Sequence, residues 1–227
     1  MITEKFNYTQ LKRASVDGRR LYTTPNGTAV PSVTTILDRT KSEEKRLALA
    51  NWKKRVGEAK AQEIVTEAAG RGTRMHKYLE NYCIEGELRD PGSNPFSKQA
   101  NDMAKVVIEE GMCDMSEIWG TEVPMYFPEL YAGTTDAVGL YNNEPSIIDF
   151  KQTNRPKKDE WVDDYKTQLV AYALAHNEVY ETNIKQGVIL MCSKDLEFQR
   201  WVIKGEEFEL FTEHWLNRVQ TYYRQSA

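Results

Sequence analysis

The chain has 227 residues, of which 40% are hydrophobic and 28% charged, a balance that excludes a disordered tail, a collagen-like repeat and a scaffold held by disulfides alone. Thirty Lys and Arg against 34 Asp and Glu give a net charge of −4. The charge is uneven: residues 1–80 hold 16 basic and 9 acidic side chains, a net of +7, whereas residues 81–227 hold 14 and 25, a net of −11. A cationic first third can hold a phosphate backbone even under a negative total. Cys83, Cys113 and Cys192 form no C-x-x-C pair, which argues against a disulfide framework, a structural zinc site and an iron–sulfur cluster. No run reaches the roughly 18 apolar residues of a membrane span. The first residues lack the basic-then-apolar pattern of a secretory signal, so the expectation is a cytoplasmic protein without a membrane.

In chain order, residues 19–24 and 28–33 are short β-prone runs around Pro25-Asn26-Gly27, a turn signal. Ser32 or Thr34 can cap a short helix through Ile36 and Leu37. Ser42-Glu43-Glu44 opens a second helix, with its acids in the first turn. Another helix is expected over residues 58–69, broken at Gly70-Arg71-Gly72 and restarted at Thr73 to carry His76, Leu79 and Cys83. Residues 90–95 are a loop, and residues 96–110 a helix. The period then changes to strands over 118–127, 131–141 and 146–151, the last two joined at Asn142-Asn143-Glu144-Pro145. A helix over 163–178, strands over 186–192 and 198–203, and a helix over 206–223 complete the order. The expectation is a single α/β (α+β) unit: a basic hairpin and helical arch over residues 1–70 on an α/β core over 71–227, with a central mixed sheet flanked by helices.

The sharpest local feature is Ile147-Ile148-Asp149-Phe150-Lys151. Period-two geometry puts Asp149 and Lys151 on one face of a strand and Phe150 on the other. A tight turn centred between Asn142 and Asn143 would set Asp136, of Gly133-Thr134-Thr135-Asp136, opposite Asp149. Two adjacent carboxylates repel unless a cation joins them, and the hard ions Mg2+ or Mn2+ suit oxygen ligands. A structural ion pair at a strand end is the alternative. His76, among Arg71, Arg74 and Lys77, is either a packed histidine or a further ligand. Gln168 and Tyr172, four apart on a helix, could support the site or pack in the core. His176 and His214 read as structural.

These residues, in this order, resemble the PD-(D/E)XK nuclease superfamily. The branch is the RecB-like one, with the mitochondrial genome maintenance exonucleases and their phage relatives. The resemblance runs through His76, Gly133 with Asp136, Asp149 with Lys151, and Gln168 with Tyr172, and Pro31 to Leu37 extends it to the front. It implies the restriction-endonuclease-like core. It also implies one or two Mg2+ or Mn2+ ions held by His76, Asp136, Asp149 and the backbone carbonyl of Phe150. Lys151 would be catalytic, with Asp136, Asp149 and Gln168 beside it, and Glu122 and Thr153 would be accessory. The implied activity is that of an exonuclease on single-stranded or frayed DNA ends in replication, recombination or DNA degradation, with a helicase or recombination partner. Trp52, Lys53, Lys54 and Arg55 fit an arch that holds a strand. Arg71, Arg74, Tyr172, Lys157 and Lys158 are further candidate nucleic-acid contacts. An endonuclease on the same fold and a non-catalytic recombination accessory protein are the alternatives.

Overall fold

The computed structural model describes every residue except Met1, Glu4, Asp17 and Ala227, and Ser226 by its backbone alone. The front of the chain forms a small antiparallel sheet of β1 (Lys12–Val16), β2 (Arg19–Thr23) and β3 (Ala29–Pro31). The predicted turn holds β2 to β3: the Thr24 amide donates to Thr28 O at 2.9 Å, and Gly27 takes φ +87°, a conformation glycine adopts freely. β1 was not anticipated. All five of its residues are exposed, so it shows no apolar alternation, and it is a strand because it pairs with β2 from Lys12↔Thr23 to Val16↔Arg19.

Ser32 caps α1 (Val33–Arg39), its hydroxyl accepting the Thr35 amide at 3.0 Å. Ser42 caps α2 (Glu43–Val56) by the same device. α2 carries Glu43 and Glu44 in its first turn and Lys53, Lys54 and Arg55 in its last, and buries no residue. Its local stability therefore comes from capping and dipole complementarity rather than from a core. Gly57 ends it at φ +85°.

The expected break at Gly70-Arg71-Gly72 does not occur. α3 (Glu58–Glu85) runs through it as one 28-residue helix. Two interior glycines cost about 1 kcal/mol each in an isolated helix, but here tertiary contacts use them. A Cβ at Gly72 would lie 3.3 Å from Gln152 Cγ, so the glycine lets the helix approach the end of a core strand. Arg71 is buried there. Its Nε donates to Gln152 Oε1 at 2.9 Å, it also reaches Asn154, and it pairs with Glu67. Gln152 in turn donates to Ala68 O at 3.0 Å. α4 (Pro95–Glu110) follows, capped by Asn94.

The core sheet has the order β4 (Met115–Phe127), β5 (Tyr131–Tyr141), β6 (Glu144–Thr153), β7 (Gln186–Ser193) and β8 (Phe198–Lys204). Every pairing is antiparallel except β6 with β7. That parallel pair is joined by α5 (Asp163–Tyr180), as a parallel connection requires a crossover. β7 is buried along its whole length, consistent with helices on both faces. On one face Ile148, Phe150, Val188 and Leu190 pack with Met75 and Leu79 of α3 and Met103 and Val107 of α4. On the other, Ile147, Ile189 and Met191 pack with Leu169 of α5, with Ile36 of α1, and with Trp215 of α6 (Glu206–Ser226). No helix among the described residues is long and apolar enough to cross a membrane.

Candidate active site

The β5–β6 hairpin sets the site. Asn142 and Asn143 take φ +49° and +63°, the pattern of a two-residue turn in which both central residues are left-handed. The pairing runs from Tyr141↔Glu144 to Ala137↔Ile148, which is the predicted register. The next positions along the two strands are Asp136 and Asp149. The Phe150 amide donates to Asp136 Oδ2 at 2.7 Å, so β6 backbone holds the carboxylate of β5.

Around this point three elements converge. His76 of α3 sits with Nδ1 3.2 Å from Asp136 Oδ1. Glu122 of β4 joins them: one ligand atom from each of His76, Glu122 and Asp136 lies within 4.8 Å of the others. Glu122 has φ +49° in a strand whose register shifts just before it, between Ile118 and Gly120. A left-handed non-glycine residue costs of order 1 kcal/mol or more and persists where the surroundings impose it. Here it carries a carboxylate of the cluster. Asp149 lies outside the three-residue cluster and is paired with the ammonium of Lys151. Its side chain is 3% exposed against 17% for Lys151, so the lysine is the member that meets solvent. Lys151 Nζ also stands 5.1 Å from the centre of the Tyr165 ring.

The electrostatics separate the two aspartates. Burial raises Asp136, but His76, Lys151 and the Phe150 amide outweigh it and hold the carboxyl well below the usual range. Burial also raises Asp149, and with the charge of Asp136 it outweighs Lys151, so that carboxyl moves up. For His76 burial works downward, yet Asp136 wins and its pKa is raised. Lys151 is likewise raised, since Asp149 and Asp136 outweigh its burial. Glu122 is raised by burial and by Asp136. Two carboxylates pushed apart in one pocket are a common mark of divided roles.

α5 completes the floor. Gln168 Nε2 donates to the Tyr172 hydroxyl at 3.2 Å, and Tyr172 is buried. A Cβ at Gly133 would come within 2.6 Å of the Tyr172 ring, so glycine three residues before Asp136 is what allows α5 to lie against β5.

The other sequence-predicted positions fall in several places. Trp52 and Arg55 of α2 line an open cleft of about 790 Å³ at the end of β6, facing Gln152, Arg155, Lys157 and Lys194. Lys53 and Lys54 are exposed, and Lys53 lies on another flank of the same helix. Arg71 is engaged in the α3–β6 junction described above. Arg74 stands 5.7 Å from the Phe96 ring. Thr153 accepts the Arg155 amide and donates to Arg155 O at 2.7 Å, shaping the turn after β6. Lys157 is fixed through its backbone to the Gln199 side chain, and Lys158 lies 5.4 Å from the Trp161 ring. His176 is buried between Tyr8 and Thr182, and His214 packs on Phe211, as structural histidines do. Sequence reasoning missed Gln152, Tyr165 and Trp161. Gln152 had one signal, a polar residue continuing a buried strand; the other two had none.

No protein-family profile matches the chain. It is 27% identical over 213 residues to mitochondrial genome maintenance exonuclease 1 of Xenopus tropicalis, covering 81% of this chain and 58% of that protein. The protein of the same name from Homo sapiens is 27% identical over 175 residues, covering 73% and 50%. That from Mus musculus is 26% identical over 207 residues, covering 86% and 59%. The chain thus spans little more than half the length of these relatives. A solved structure of a candidate exonuclease from Eubacterium rectale superposes with a TM-score of 0.48 at 15% identity, over 68% of this chain and 65% of that one. The ordered motifs thus come together at one hairpin end of a helix-flanked mixed sheet, in a chain that is similar in sequence over most of its length to these mitochondrial exonucleases.

Proposed function

We propose that the chain hydrolyses phosphodiester bonds in DNA with Mg2+ or Mn2+, as an exonuclease on single-stranded or frayed ends. The observation that carries this reading is the His76–Glu122–Asp136 cluster beside the Asp149–Lys151 pair. One imidazole nitrogen and several carboxylate oxygens, gathered where like charges would otherwise repel, fit a hard divalent cation. His76, Glu122 and Asp136 would hold it, with Asp149 and the Phe150 carbonyl adjacent. When bound, such an ion supplies Lewis-acid polarisation of a phosphate oxygen and a lowered pKa for water.

The chain's own groups do the rest. Asp149 holds the Lys151 ammonium at the mouth of the site, where it can stabilise charge developing on the phosphate or orient a water. The Tyr165 ring limits where that ammonium can swing. Gln168, tied to Tyr172, presents a second polar group from α5. In the adjoining cleft Trp52 can stack on a base while Arg55, Lys157 and Lys194 meet phosphates. α2 lines that cleft with Trp52, Arg55 and Val56 and buries no residue, which leaves this flank open to a strand.

The test uses linear single-stranded DNA labelled at either end, circular single-stranded DNA and blunt duplex, with Mg2+ or Mn2+ and with chelator. Metal-dependent loss of linear strands that spares the circle, absent from Asp149→Ala and Lys151→Ala, is the expected result. Cutting of the circle would replace the end-dependent reading by an endonuclease. Binding without cleavage of any substrate would overturn the catalytic assignment.

A further inference from the structure

Away from the cluster, three adjoining hollows of about 500, 240 and 230 Å³ share a wall of cations. Arg19 and Arg20 come from β2, Arg39 from the end of α1, and Arg46 and Lys53 from α2. The acid among them, Asp38, is paired with Lys41 at 2.9 Å. Arg46 is anchored by donating to Arg39 O at 2.7 Å, which fixes the geometry of the wall. Arg20 and Arg39 are exposed, and their guanidinium groups make no ion pair among the described residues. So dense a cationic surface on a chain of net charge −4 creates a local field opposite in sign to the whole.

The hollows meet α2 on a flank formed by Arg46, Leu49, Ala50 and Lys53, at three- and four-residue spacing. Trp52, Arg55 and Val56, on the neighbouring flank, line the cleft at the end of β6. At 100° per residue the two flanks lie roughly a quarter to a third of a turn apart. A strand leaving the cleft around α2 therefore arrives at the arginine wall. Arg39 lines all three hollows, with Arg46 on one side of it and Arg20 on the other, and planar guanidinium forks match phosphates.

Resting on the nuclease reading above, we infer that the β2–α1–α2 wall is a second phosphate track. It binds the backbone of single-stranded DNA beyond the cleft and so lengthens the footprint. A strand too short to reach it gains nothing from it.

The experiment measures binding of fluorescein-labelled oligo-dT, short (~8 nucleotides) and long (~30 nucleotides), in chelator across a salt series, by anisotropy. Wild type is compared with Arg20→Ala/Arg39→Ala and with Arg20→Lys/Arg39→Lys, and the same preparations are assayed for metal-dependent cleavage and for thermal unfolding. Wild type should bind the long strand more tightly and with a steeper salt dependence than the short one. The alanine pair should lose that gain, its long-strand slope falling by about 1.4 for two lost phosphate contacts. The lysine pair should keep most of the slope. Equal long-strand affinity and slope in wild type and the alanine pair, with cleavage intact, would overturn the track and leave the nuclease reading standing. Wild type that neither binds nor cleaves would overturn both.

Discussion

Gly133→Ala is the substitution for which the structure makes the most quantitative demand. An added Cβ would stand 2.6 Å from Tyr172 Cε1 and 2.7 Å from its hydroxyl. Carbon contacts are comfortable at about 3.5 Å or more, so ring and strand must separate by about 1 Å. Tyr172 is 2% exposed and its hydroxyl accepts from Gln168, leaving a rigid ring no open space to swing into. Overpacking of this kind costs about 1–3 kcal/mol, which for a chain of this length lowers Tm by about 2–4 °C per kcal/mol. The same displacement acts on Asp136, three residues along β5, and a misplacement of about 1 Å in an active site can lower turnover by about 100-fold. Calorimetric unfolding and metal-dependent cleavage of linear single strands are measured for Gly133→Ala, Tyr172→Leu and the double variant. Leucine lacks the clashing ring atoms, so the penalty of the alanine should shrink in the Tyr172→Leu background, giving a coupling energy of about 1 kcal/mol or more. A Gly133→Ala protein as stable as wild type, or a penalty unchanged when the ring is gone, would refute the close-approach argument.

Other outcomes follow from groups outside that contact. His176 is buried and pushed down to about 4 by desolvation, so it folds neutral. The stability this contributes is complete above its ordinary value near 6.5 and is lost as pH falls toward 4, about 3 kcal/mol in all. Urea unfolding at pH 7.5 and pH 4 should show His176→Gln losing that much less than wild type. Arg71→Met should cost about 3 kcal/mol by leaving Gln152 and Asn154 without their buried donor, and Arg71→Lys should not restore it because an ammonium lacks the planar fork that aims Nε at Gln152 and Nη2 at Asn154; urea midpoints read both. Asp136 raises the His76 pKa, so on the proposed metal-site reading a bound Mn2+ would have to displace a proton there. Titration calorimetry should show Mn2+ affinity rising with pH through the His76 pKa, and a flatter dependence in His76→Ala.

Much of this protein is legible locally. Helix caps at Ser32 and Ser42, the Asn142-Asn143 turn and the apolar run through Ile147 and Ile148 each act over a few residues, and short-range chemistry suffices to place them. The register that sets Asp136 beside Asp149 belongs to the same class, since a tight turn fixes the pairing of the strands that leave it. Other features depend on what the chain meets after collapse. Gly70-Arg71-Gly72 looks like a break because glycine is a poor helix former in isolation, and it stays helical because Gln152 and Asn154, some eighty residues away, take up Arg71, while Gln152 fills the space beside Gly72. β1 is a strand only by virtue of its partner. Glu122 is one acid among many along the chain, and only the bulged path of β4 and its left-handed backbone bring it to His76 and Asp136. Local propensity and period-two geometry act within an element, whereas a site drawn from α3, β4, β5, β6 and α5 is a property of how the elements pack.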